Sequence, residues 1–220
     1  MTTVPFPLRS SAFALVAMSL AGPALAGRPL TVDDAGTNAA GEGHVEVWTA
    51  RADDTRSWNI SPAYALRDGL EISALLAREK PDKITTTALQ LKYLFSPSKE
   101  EGCNFGGAVG VARARADGES ENGTFVNGIA TCNGTLLGNV HLNIGYTKPS
   151  SSDGVKSWGV ALEREMGAVT PHIEYFGVEH AKPVLQLGLR GDVAKNLQLD
   201  GTVGRSDGVT GYSVGVKFRF

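Results

Sequence analysis

The chain has 220 residues, a formal net charge of −2, 42% hydrophobic residues and 27 glycines. Its 21 basic and 23 acidic residues nearly balance, which argues against a nucleic-acid binder, and beyond the N-terminal region no run of 18 apolar residues offers a helical membrane anchor. Such averages suit one barrel or sandwich domain, and they also suit a membrane barrel, whose polar lumen cancels its apolar exterior.

Residues 1–26 have the parts of a cleaved secretory signal peptide. Arg9 supplies positive charge, "SAFALVAMSLAG" (11–22) is the apolar region, and Ala24-Leu25-Ala26 is a small-x-small cleavage site. That apolar stretch falls short of the roughly 20 residues a spanning helix needs. The mature chain would then begin at Gly27. Residues 27–42 carry acidic, small and glycine residues. They are expected to form a flexible periplasmic N-terminal segment, or a short plug in a lumen.

From 43 to 220 the apolar residues recur at period two, the signature of a strand with one face apolar. Turn clusters divide this region into about twelve strands. They cover 43–52, 57–66, 70–79, 84–95, 103–115, 123–132, 135–147, 155–165, 168–179, 183–192, 197–205 and 211–220. The expected fold is all-β, a transmembrane antiparallel up-and-down β-barrel of about 12 strands. An even count brings the chain back to the side where it began, so Phe220 belongs at the periplasmic rim. The outer connections, among them 117–122, 148–154 and 206–210, are expected to be longer than inner turns such as Arg67-Asp68-Gly69 and Asn133-Gly134.

The aromatics test this register. On the apolar faces Trp58, Tyr146, Trp158, Tyr175 and Tyr212 fall near outer strand ends, and Tyr64, Tyr93, Phe95, Phe105, Phe218 and Phe220 near inner ends. Two aromatic girdles around an aliphatic band are expected of a barrel in a bilayer. Arg113 and Arg115 land on the lipid face at the outer rim, where they can reach toward lipopolysaccharide phosphates. The opposite faces supply the candidate lumen lining: Glu46, Glu71, Lys92, His141, Glu163, Glu165, His172, Glu174, Arg190, Lys217 and Arg219. These charges could pair and block the lumen, giving a structural or interaction barrel. They could also line a water-filled path for small polar or zwitterionic solutes. A soluble secreted barrel that binds a ligand would present the same residues at its surface.

Cys103 opens one strand and Cys132 closes the next. A hairpin turn at Asp117-Gly118 would set them opposite each other in an oxidising compartment, so a disulfide is expected. No CxxC and no histidine beside either cysteine suggests a metal site, and no cofactor motif is present. The histidines are scattered and no GxSxG occurs, so neither a catalytic residue nor an enzyme is expected.

The mature N-terminus carries a resemblance. Arg28-Pro29-Leu30, Asp33-Asp34-Ala35-Gly36, Gly43 and Glu46 are similar to the opening of a group of bacterial outer-membrane barrels. That group looks distantly like the transporters assigned to phenol-degradation (MetA-pathway) operons, which implies passage of small aromatics. The closing strand "GYSVGVKFRF" resembles the general assembly signal of bacterial barrels, with Tyr212, Phe218 and Phe220 at alternate positions and an aromatic last residue. This implies recognition by the barrel-assembly machinery through strand addition. The expected partners are therefore outer-membrane lipid, lipopolysaccharide, that machinery and small solutes.

Overall fold

The period-two alternation resolves into twelve antiparallel strands in a computed structural model that describes residues 30–220. The signal peptide expected over 1–26 lies outside the described residues. The strands are β1 (Gly43–Ala52), β2 (Thr55–Arg67), β3 (Leu70–Lys80), β4 (Thr85–Leu94), β5 (Gly102–Ala116) and β6 (Glu119–Thr135), followed by β7 (Gly138–Pro149), β8 (Val155–Glu163), β9 (Thr170–Val178), β10 (Val184–Ala194), β11 (Leu197–Ser206) and β12 (Val209–Arg219). Each pairs with its neighbours in sequence, and β12 pairs with β1, so the sheet closes into a barrel. Closure satisfies the backbone groups that an open edge would leave bare in hydrocarbon. At the seam Gly43 and Phe220 exchange two backbone hydrogen bonds of 2.9 Å. A Cβ on Gly43 would stand 2.7 Å from the Ala63 carbonyl oxygen and 2.8 Å from the Phe220 ring, so the seam needs glycine there.

The barrel is inverted relative to a soluble one. Glu46 and Glu174 are each 1% exposed, while Trp58 is 59% and Ile144 73% exposed. The expected girdle aromatics all face outward. Trp158 and Tyr175 meet edge to face at 5.2 Å on the far girdle, and Tyr93 and Phe95 lie 6.0 Å apart on the near girdle, at the end that holds Phe220. Inward-facing charge with outward-facing aliphatics is the polarity of a membrane-spanning barrel.

Two expectations about connections are corrected. The far-end loops are not longer than the near ones, because the ladders run on. β5 and β6 pair out to Ala116 and Glu119, leaving only Asp117-Gly118, both at positive φ in the hairpin manner. β11 and β12 likewise leave only Asp207-Gly208. Nor is Asn133-Gly134 a turn. It forms a bulge between Cys132 and Thr135, and the chain reverses at Leu136-Leu137.

Residues 30–38 run inside the barrel, with Val32, Asp33 and Ala35 fully buried. The stretch weighed as a flexible lead-in or a plug thus packs against the inner wall. We call it the strap.

Candidate functional site: a lumen with a resident strap

The strap is built for its seat. Leu30 and Val32 pack on Ala161 and Phe176, and Ala35 packs with Leu94, Ala108 and Ile129. A Cβ at Gly159 would come within 2.6 Å of Val32 Cγ2, so β8 is hollowed where the strap leans on it. Full burial of a Val or Leu side chain contributes about 1.5–3 kcal/mol.

Polar wall residues hold the strap backbone. The Glu174 carboxylate accepts from the amides of Thr31 (2.6 Å) and Val32 (2.7 Å). Asn143 Oδ1 accepts from the Asp33 amide at 2.7 Å, and Asn143 Nδ2 donates to the Asp33 carbonyl at 2.8 Å, so one side chain reads a backbone unit as a neighbouring strand would. The Ala35 amide donates to Thr131 Oγ1, which also meets His141 Nδ1 at 2.9 Å. Glu71 accepts from both the amide and the side chain of Asn38. Hydrogen bonds to charged groups are worth about 1.5–3 kcal/mol, against about 1–2 kcal/mol per residue to order the backbone. The seat is therefore a balance of similar terms, in which single contacts count.

One ion pair joins strap to wall. Lys92 Nζ lies 2.9 Å from Asp33 Oδ1, with both side chains buried. Burial alone would raise the Asp34 carboxyl. The positive charge of Lys92, with His141 and Lys217, outweighs this and holds it below its ordinary 3.8.

The remaining charges pair along the wall. Lys217 meets Glu46 at 2.7 Å, directly across the β1–β12 ladder. Arg190 meets Glu163 at 2.8 Å, and His141 lies 3.5 Å from the same carboxylate. His172 and Glu174 are 3.8 Å apart. Arg219 reaches Asp192 and Gln198, both at 2.9 Å. Ten of the eleven expected lumen residues thus face the interior or its mouth. Glu165 does not, because β8 ends at Glu163 and the chain leaves the wall for the 164–169 connection, where Glu165 is exposed. Sequence reasoning missed Asp33, Thr131 and Asn38 as partners in this site. Their signal was faint: an Asp-Asp pair flanked by apolar residues within a small-residue segment.

Space remains on both sides of the strap. A chamber of about 370 Å³ at the far end is lined by Thr31, Trp48, Ser57, Gln186, Thr202 and Ser213. A smaller one of about 190 Å³, toward the Phe220 end, is lined by Asp34, Glu46, Glu71, Lys92, Lys217 and Arg219. The strap contributes to both walls. Cys103 and Cys132 stand opposite each other on β5 and β6 and form a disulfide, as expected.

A family model described as uncharacterised conserved protein UCP029691 matches residues 14–215. No curated protein sequence matches the chain. Among solved structures it is similar to the KdgM porin in complex with disordered oligogalacturonate, at TM-score 0.63 and 13% identity over 80% of this chain and 99% of that one. It is also similar to the NanC porin, at TM-score 0.56 and 10% identity over 80% and 98%. The outer membrane protein Omp33 of Acinetobacter baumannii gives TM-score 0.54 and 10% identity over 84% and 100%. At these identities the likeness is one of fold, that of outer-membrane barrels.

Proposed function

Because the chain belongs to the uncharacterised conserved protein family UCP029691 and folds as an outer-membrane barrel, we propose that it is a bacterial outer-membrane channel for small polar solutes, throttled by its own N-terminal strap. The observation that carries this is the pair of chambers that flank the strap within the lumen. In this reading residues 1–26 are removed on export, and Phe220 and the start of β1 lie at the periplasmic rim. Tyr212, Phe218 and Phe220 present β12 to the assembly machinery. Glu46, Glu71, Lys92, His141, Glu163, His172, Glu174, Arg190, Lys217 and Arg219 line the path, and no catalytic step is assigned. Walls of both signs suit zwitterionic or hydrogen-bonding solutes. The resemblance of the mature N-terminus adds small aromatics to the panel worth testing.

Swelling of liposomes carrying the folded barrel tests this reading. Entry of small amino acids, sugars or hydroxylated aromatics is expected. Osmotic silence toward every solute would leave a structural barrel with a filled lumen.

A further inference from the structure

The outward face has its own polarity. At the far end of β2, β3, β5 and β7 stand Arg56, Arg78, Lys80, Arg113, Arg115 and Lys148, all exposed and in step with the outward aliphatics of their strands. They lie on neighbouring strands in short cross-strand lines: Arg56 opposes Lys80, Thr85 lies between Arg78 and Arg115, Asn122 opposes Arg113, and Thr124 opposes Lys148. None of the six has an acidic partner among the described residues. Arg113 donates only to Ser120, and Lys148 to the Ser152 carbonyl. Six unpaired cations beside a hydrocarbon band are costly unless something anionic meets them at that height.

Beneath them the surface is grooved. A depression of about 780 Å³ crosses β3 to β7, lined by Leu89, Val111, Arg113, Asn122, Thr124 and Lys148. From β4, β5 and β6 it takes two outward residues each with the intervening backbone, and from β7 the outward Lys148, which puts it on the outside of the barrel. Its lower edge continues into Leu91, Val109 and Val126, an aliphatic wall in register across the same strands. Donors above and hydrocarbon below match a molecule with phosphates at one end and acyl chains at the other.

We propose that this groove binds a phosphorylated, acylated glycolipid of the outer leaflet. A phosphate sits between Arg113 and Lys148, within reach of Asn122 and Thr124, and an acyl chain lies over Leu89 and Val111. Arginine suits the phosphate because its planar fork can donate twice. Arg78, Lys80 and Arg115 hold a second phosphate or a neighbouring lipid. The site rests on the outer-membrane reading, and it also fixes orientation, since these cations then mark the outer leaflet.

The test is native mass spectrometry of the folded full barrel released from detergent, with bisphosphorylated lipid A as probe. Retained lipid A is expected, undisplaced by millimolar inorganic phosphate and not replaced by zwitterionic phosphatidylethanolamine. Each surface cation contributes about 1 kcal/mol toward anionic lipid, so Arg113→Gln/Lys148→Gln should cut retention tenfold or more, while Arg205→Gln on β11 leaves it unchanged. Heat-modifiable migration in gels checks that every variant is folded. Equal retention by the double variant overturns the inference, and displacement by inorganic phosphate overturns it in favour of a free-anion site. Cell fractionation separates the two levels of the account: a barrel released with soluble periplasm sinks the outer-membrane reading itself. One found in outer membranes whose retention ignores Arg113 and Lys148 sinks only this site.

Discussion

Lys92 shows how much rests on one side chain. It is the cation that joins the buried Asp33 of the strap to the wall. Replacing one member of a buried ion pair costs about 3–5 kcal/mol. Lys92→Met should therefore speed hydrogen exchange of the Val32, Asp33 and Ala35 amides about 100-fold or more in the intact barrel. Unchanged exchange would mean that the backbone bonds to Glu174 and Asn143 suffice. Asp34 gives a pH dependence with a definite sign. Its folded pKa lies below the ordinary 3.8, so its contribution is complete above 3.8 and is lost as pH falls through the lowered value. The Asp34 part of the seat should fail, and protease access to the strap rise with it, only below about pH 4. Access that does not rise below about pH 4 would show that Asp34 does not hold the strap. Much of this scale was legible. Glu46, Glu71, Glu163 and Lys217 could be placed inward because each alternates with outward aliphatics. Glu165 was not, because alternation does not announce where a strand leaves the wall. Asp33 was not, because a single strap residue has no period.

At the scale of the strand, register was the legible quantity. A two-residue turn at Asp117-Gly118 fixes every pair along β5 and β6, and with them Cys103 opposite Cys132. Their separation of 29 residues corresponds to roughly 3–4 kcal/mol of denatured-state constraint. The paired Cys103→Ser/Cys132→Ser variant should lower the urea midpoint without changing the fold. An unmoved midpoint would show that the long hairpin already supplies this order. The turn at Leu136-Leu137 was not legible. Two leucines read as strand, and the bulge at Asn133-Gly134 imitates a turn. The closing strand makes a further claim. Phe220 closes the seam through Gly43, and in the proposed function it also ends the assembly signal, so a chain ending at Arg219 should reach the outer membrane several-fold less well. Undiminished insertion would confine the role of Phe220 to packing at the rim.

For the molecule as a whole, the question from sequence was which face of the alternation is buried. The answer is the polar one, and it makes an inside-out protein with charged residues at its core and aromatics at its surface. Strand number, closure and polarity were readable because period-two alternation repeats in every strand. The filling of the lumen was legible only as one of two alternatives for the N-terminal segment, because it depends on a non-repeating segment meeting twelve walls at once. The central claim is that this strap governs passage through the barrel. Its most direct measurement is single-channel conductance in planar bilayers, comparing the mature chain with one lacking residues 30–38 but keeping the Gly41–Gly43 junction, both shown to be folded. The account predicts a small conductance for the mature chain and one several-fold larger without the strap. Equal conductance in the two, or none in either, would contradict it.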